Sequence, residues 1–143
     1  CLNAGADVVV TGRVTDASVA VGPAAAHFGW HRDDYDRLFA RLDPEVGWVP
    51  DTGHILRGGQ DILDTLRTYQ DRIRYLHLKD VDAAGNWSML GEGICDTTAV
   101  IDIVAAAAPF NGWLILEEES ATAAADPAAA VRRNRVTLRA LAA

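Results

Sequence analysis

Three short runs of nearly unbroken apolar residues punctuate the last two thirds of the chain: Val46-Gly-Trp-Val-Pro50, Ile73-Arg-Tyr-Leu-His-Leu78 and Gly112-Trp-Leu-Ile-Leu116. Rich in β-branched, aromatic and leucine residues, each predicts a strand buried on both faces, and strands of that kind belong to parallel sheets. Between them the pattern changes to a helical period. Asp61 is placed to cap a helix with Ile62, Leu63, Leu66 and Tyr69 on one side, and Thr97 or Thr98 to start another with Val100, Ile101 and Val104 inward. A last helix spans Pro127 to Leu141, with Val131, Leu138 and Leu141 at helical spacing. Its Arg132, Arg133, Arg135 and Arg139 read as a solvated face toward a C-terminus, where the dipole favours cations. Ala121 to Ala130 reads as a linker into that helix, and Gly91-Glu-Gly93 as a turn.

The N-terminal stretch repeats the theme once. Ala6 to Val10 predicts a strand, Thr11-Gly12 a turn, and Ala17 to His27 an Ala-rich helix interrupted by Gly22-Pro23. Residues 28 to 45, with Asp33, Asp34, Asp36 and Asp43 among aromatics, read as a connector. Strands alternating with helices give four βα-like units and an α/β class.

Composition narrows the partners. The chain has 143 residues, 50% hydrophobic and 23% charged, which predicts one soluble globular body with a real core. Thirteen Lys and Arg against 20 Asp and Glu give a net charge of −7, which argues against nucleic acid or an anionic membrane as partner. The longest charge-free stretch, Ala17 to Trp30, is broken by Gly22, Pro23 and Gly29 and falls short of the roughly 20 apolar residues that a membrane span needs. Cys1 and Cys95 form no CxxC pair, so the cysteines predict neither a disulfide framework nor a zinc knuckle, and a reducing, cytoplasmic compartment fits. The chain starts at Cys1 and its one methionine is Met89, so it reads as a piece of something longer.

The chemistry lies at the strand ends. The first strong strand runs into Asp51-Thr-Gly-His54, the second contains His77-Leu-Lys-Asp80, and the third runs into Glu117-Glu-Glu119. Taken singly, an Asp after a strand is a cap, a His in a strand is a hydrogen-bonded core residue, and a run of Glu is a solvated loop. At equivalent positions of parallel strands, however, side chains at the C-terminal ends converge on one site. Asp51, His77 and Glu117 then supply one imidazole and two carboxylates, a donor set suited to Mn, Mg, Co or Zn rather than to soft metals. Asp16, Ser18 and His27 lack the elbow and oxyanion signature of a hydrolase triad, and Gly5 to Gly12 follows no phosphate-binding spacing.

The ordered motifs Asp51-Thr-Gly-His54, Arg72-Ile-Arg-Tyr-Leu-His-Leu-Lys-Asp80, Leu90-Gly-Glu-Gly93 followed by Asp96, and Gly112-Trp-Leu-Ile-Leu-Glu117 resemble the C-terminal part of the xylose-isomerase-like TIM barrels. This superfamily of sugar phosphate isomerases and epimerases also holds the type 2 AP endonucleases and inosose dehydratases. The resemblance covers residues 42 to 143 and implies the last three βα units of a (β/α)8 barrel with parallel strands, preceded by one βα-like unit. It implies that Asp51, His77 and Glu117 are ligands of a divalent metal ion. Glu117 is further implied as catalytic acid/base, with His54 contacting substrate hydroxyls or a second ion, or acting in catalysis. Lys79 and Asp80 are implied either to bind polar substrate groups or to pair with each other. The substrate implied is a small keto-sugar or polyol.

Two features depart from that pattern. The family places a further Glu ligand on an earlier strand, whereas no Glu precedes Glu45 here, and Glu45 lies on the wrong side of its own strand to join Asp51. A full barrel takes about 250 residues. Residues 1 to 38 instead resemble a segment of the acyclic terpene utilisation family, carried by Gly5-Ala-Asp-Val-Val-Val-Thr-Gly-Arg-Val-Thr-Asp-Ala-Ser18, Gly22-Pro-Ala-Ala-Ala-His-Phe-Gly-Trp30 and Asp33-Asp-Tyr-Asp36. The resulting division is 1–41 and 42–143, with a junction near Leu38 to Leu42. The leading expectation is a metal-dependent isomerase, epimerase or dehydratase present as an incomplete or fused fragment. The alternatives are a non-catalytic fused remnant, a protein of acyclic terpene catabolism, and an AP-endonuclease-type phosphodiester hydrolase, which the acidic charge disfavours. Open sheet edges and an inner face bearing Trp48, Tyr75 and Leu116 lead us to expect self-association.

Overall fold

A computed structural model of the chain describes residues 38–141. The strand expected at Ala6 to Val10, the helix at Ala17 to His27 and most of the connector lie outside the described residues. The chain divides into two compact units, residues 1–46 and 47–143. Within the first, Asp43 closes a turn, its carboxylate accepting from the N–H of Glu45 and its carbonyl from the N–H of Val46, both at 2.9 Å.

The second unit is built on parallel pairing. Strand β1 (Leu76–Leu78) pairs with a strand at Leu114–Leu116, with His77 opposite Ile115. On its other side the segment at Trp48 to Asp51 bridges in parallel to Ile73 and His77. A hairpin follows β1, made of β2 (Asp80–Val81) and β3 (Trp87–Ser88), which makes Leu114–Leu116 strand β4. The sequence pattern gave no sign of the hairpin, because its strands are two residues long. Its turn rests on Asp82, which accepts from the N–H groups of Ala84 and Asn86. Gly85 there holds a positive φ of 82°, which suits a residue without Cβ.

Helices cover one face. Helix α1 (Thr52–Arg57) begins where the Asp51 carboxylate accepts from the N–H of His54, and α2 (Ile62–Thr68) where Asp61 accepts from Asp64. Helix α3 (Thr97–Ala106) starts at the expected place, but Asp96 is its cap rather than a threonine. Ile55, Ile62, Leu66, Ile73, Leu76, Leu78, Leu90, Val100 and Val104 form the buried core between these helices and the sheet. Of the two isoleucines of this helix, Ile103 rather than Ile101 packs against the core.

Strand alternation divides the sheet's side chains. Leu76 and Leu78 are fully buried beneath the helices, and Trp48 and Leu116 pack against the same core. The opposite face carries Tyr75, His77 and Ile115, the last 40% exposed. Of the three residues expected on an open inner face, only Tyr75 lies there, and Ile115 takes the place given to Leu116. The period of two decides it.

The linker expected at Ala121 to Ala130 is mostly helix. Ser120 caps α4 (Ala121–Ala125), accepting from Ala123, and Asp126 then accepts from Ala129 to launch α5 (Pro127–Leu141), with Pro127 at the first helical position. Alanine's helix propensity and two good caps outweigh the low-complexity appearance. Ala130 and Asn134 are the buried residues of α5, which leaves Val131 on the outside at 65% exposure. Among the described residues no helix is long and apolar enough to cross a membrane.

Candidate functional site

Three strand ends bring the site together. His77 donates its backbone N–H to the carbonyl of Pro50 at 2.9 Å, which sets Asp51 beside it on one side. On the other side Glu117 donates its N–H to Leu78 at 3.0 Å, two residues beyond Ile115, the register partner of His77. Side chains at 77, 79, 115 and 117 alternate onto one face, so Glu117 lies against both His77 and Lys79. Ligand atoms of Asp51, His77 and Glu117 all fall within 4.8 Å of one another. The structure thus brings together the three residues that the strand ends predicted.

Hydrogen bonding uses part of each donor and leaves the rest. Asp51 Oδ1 accepts the N–H of His54, which leaves Oδ2 uncommitted by that cap. Nδ1 of His77 is 3.0 Å from Glu117 Oε2, and the ammonium of Lys79 is 3.1 Å from Glu117 Oε1. Burial works to raise the Glu117 carboxyl, but the hydrogen bonds and charges of Lys79 and His77 outweigh it and hold the group below the usual carboxylate range. Glu117 therefore stays an anion at neutral pH.

The remaining expected site residues separate. His54 sits on α1, exposed, with its ring edge-on to Trp87 at 5.1 Å. Lys79 and Asp80 do not pair, because neighbours on an extended strand point to opposite sides. Lys79 has a 1% exposed side chain, bridges Glu117 and Glu119 at 3.1 Å each, and lies 4.1 Å from the centre of the Trp87 ring. Asp80, also 1% exposed, turns away: its Oδ2 accepts from Gly91 and Gly93, and its Oδ1 from Val81 and Cys95. A carboxylate that accepts from four backbone amides organises the loop around it. Gly93 is required for that wrap, since a Cβ there would overlap the Asp80 carboxylate and the Val81 carbonyl. Trp87 and Glu119 escaped the sequence reading; Trp87 sits on a hairpin too short to show a pattern, and Glu119 is indistinguishable from its neighbours in a run of three.

One imidazole nitrogen and two carboxylate oxygens within 4.8 Å of one another are a donor set of the kind that suits a divalent ion of hard or borderline character.

The family described as "Acyclic terpene utilisation family protein AtuA" matches residues 1–42. About two thirds of the chain is similar to proteins named inosose dehydratase, of the xylose-isomerase-like TIM barrel family. That of Geobacillus thermodenitrificans (strain NG80-2) is 32% identical over 114 residues, covering 66% of this chain and 38% of the relative. Those of Lacticaseibacillus casei and Clostridium tetani are each 30% identical, over 113 and 114 residues, with the same coverage. The chain thus spans well under half the length of these relatives.

Proposed function

We propose that residues 42–143 are the last three βα units of a xylose-isomerase-like barrel, and that Asp51, His77 and Glu117 are its metal ligands. The activity proposed is a metal-dependent dehydration, isomerisation or epimerisation of a small keto-sugar or polyol. The observation that carries this reading is the convergence of three donor side chains within 4.8 Å from three separate strand ends. The naming of relatives as inosose dehydratases favours a polyhydroxylated ketone as substrate and loss of water as the reaction.

A divalent ion bound by the trio would supply Lewis-acid polarisation of a carbonyl and its neighbouring hydroxyl. Glu117, anionic and in contact with His77, would take the proton from the carbon next to that carbonyl. In a dehydration the electron pair of that C–H bond forms the new double bond while hydroxide departs from the adjacent carbon and is protonated to water. His54, exposed one helical turn past Asp51, would meet substrate hydroxyls. Residues 1–41 form a segment of the acyclic terpene type joined ahead of these units. A cytoplasmic location suits such chemistry.

The test is transfer of solvent deuterium to the α-carbon of a keto-cyclitol or keto-sugar, with Mn present, in this chain and in its Glu117→Gln variant. Exchange in the first and none in the second is the expected result. Mn binding without exchange would favour the second reading, a fused remnant without turnover, which the absence of any Glu ahead of Glu45 supports. A chain that neither binds Mn nor exchanges would overturn the metal assignment.

A further inference from the structure

Lys79 is a buried cation that the proposed reaction does not use. Its side chain is 1% exposed, yet its ammonium contacts two carboxylates, Glu117 and Glu119, and the face of Trp87. Burial of an unpaired ammonium is costly, and this arrangement offsets the cost with two charge-assisted hydrogen bonds and a π face. The stem is fixed as well. The backbone N–H of Lys79 donates to the Thr52 hydroxyl at 2.9 Å, and that hydroxyl donates to the Lys79 carbonyl at 2.6 Å. Gly53 leaves the space, since a Cβ there would come within 2.8 Å of Trp87 and 3.0 Å of the Lys79 stem. Glu117, Glu119 and Trp87 thus hold the ammonium, and Thr52 holds the backbone that carries it.

The consequence falls on Glu117. A glutamate carboxylate ordinarily turns freely about its last torsion and offers either oxygen or both. Here Oε1 faces Lys79 and Oε2 faces His77. We propose that Lys79 is the positioning residue of the site: by engaging Oε1 it fixes the carboxylate plane and leaves Oε2 as the single oxygen that Glu117 presents to Asp51 and His77. The inference rests on the reading of that trio as a metal site. It also accounts for a lysine at 79, because an arginine fork would engage both oxygens of one carboxylate and draw Oε2 away from the donors.

Charge and position make opposite predictions here. Removing a cation beside three carboxylates strengthens metal binding on Coulomb grounds alone, whereas losing the clamp on Glu117 weakens it. The experiment is Mn titration by calorimetry of the full chain and its Lys79→Met and Lys79→Arg variants, with circular dichroism to establish folding. Both variants are expected to bind Mn at least about tenfold more weakly, the scale of outer-sphere partners of ligating carboxylates. The Co absorption spectrum is expected to change shape in both, a signature that a purely structural lysine would not alter.

Equal or tighter binding in a folded Lys79→Met chain would overturn the proposal while leaving the metal site standing. No Mn binding by the wild-type chain would remove the metal site itself, and the proposal with it. Should Lys79→Met fail to fold, Trp87→Leu leaves every charge in place and removes the ring beneath the ammonium. Severalfold weaker Mn binding is expected there, and unchanged affinity would overturn the proposal.

Discussion

The hydroxyl of Thr52 both donates to the carbonyl of Lys79, at 2.6 Å, and accepts from its N–H, at 2.9 Å, while fully buried. This one side chain continues the pairing between the first strand segment and β1 beyond the point where the first chain turns into α1. Both backbone groups of Lys79 lie away from water and have no other way to be satisfied there.

Thr52→Val keeps the shape and removes both bonds. With a buried donor and a buried acceptor left unpaired, the expected loss is about 2 kcal/mol or more. Urea unfolding measures it, and Thr52→Ser, which retains the hydroxyl, is expected to recover most of the difference.

If the trio holds an ion, divalent metal stabilises the folded chain by mass action. Mn is expected to raise the midpoint of thermal unfolding in the wild-type chain and to have little effect on His77→Ala. An equal shift in both would remove His77 from the site.

Asp80 is expected to be more important to stability than to chemistry. Asp80→Asn keeps the volume but turns an amide NH2 toward backbone N–H groups that need acceptors, which is expected to cost about 3 kcal/mol. Hydrogen exchange would show the loss first at Gly91, Gly93 and Cys95, whose amides point at this carboxylate. Protection unchanged at those amides would refute the role.

Burial pushes the Cys95 thiol up to about 11. The folded state therefore keeps its proton after an unfolded thiol, at about 8.5, has lost it. Stability from this group is complete below that unfolded value and falls as pH rises toward 11. At pH 8 about one thiol in a thousand is ionised, so Cys95 in a Cys1→Ser background is expected to react very slowly with a disulfide reagent until denaturant is added. Rapid labelling of the folded chain would contradict the burial.

Self-association is expected through the sheet. Among the described residues β4 pairs with no strand besides β1, and Trp113 and Ile115 beside that edge are 68% and 40% exposed. A second copy of this chain offers matching edges. Sedimentation over a wide concentration range measures it, and a monomer throughout, without dye-binding apolar surface, would argue against it.

Much was legible in the residues themselves. The apolar runs located three neighbouring parallel segments, since short runs rich in β-branched and aromatic residues suit buried strands, and Asp61 marked a helix start through local capping chemistry while Thr97 marked one by its place before an apolar period. Asp51, His77 and Glu117 could be matched because in-register parallel strands place equivalent ends side by side. What the sequence left open was whatever depends on a partner distant along the chain. Lys79 and Asp80 are adjacent and similar in polarity, yet one became a buried bridge between two glutamates and the other the centre of a loop of amides. That division follows from which side of the strand each faces and from what Trp87, Glu119 and Gly93 bring to meet them, which only the folded chain decides.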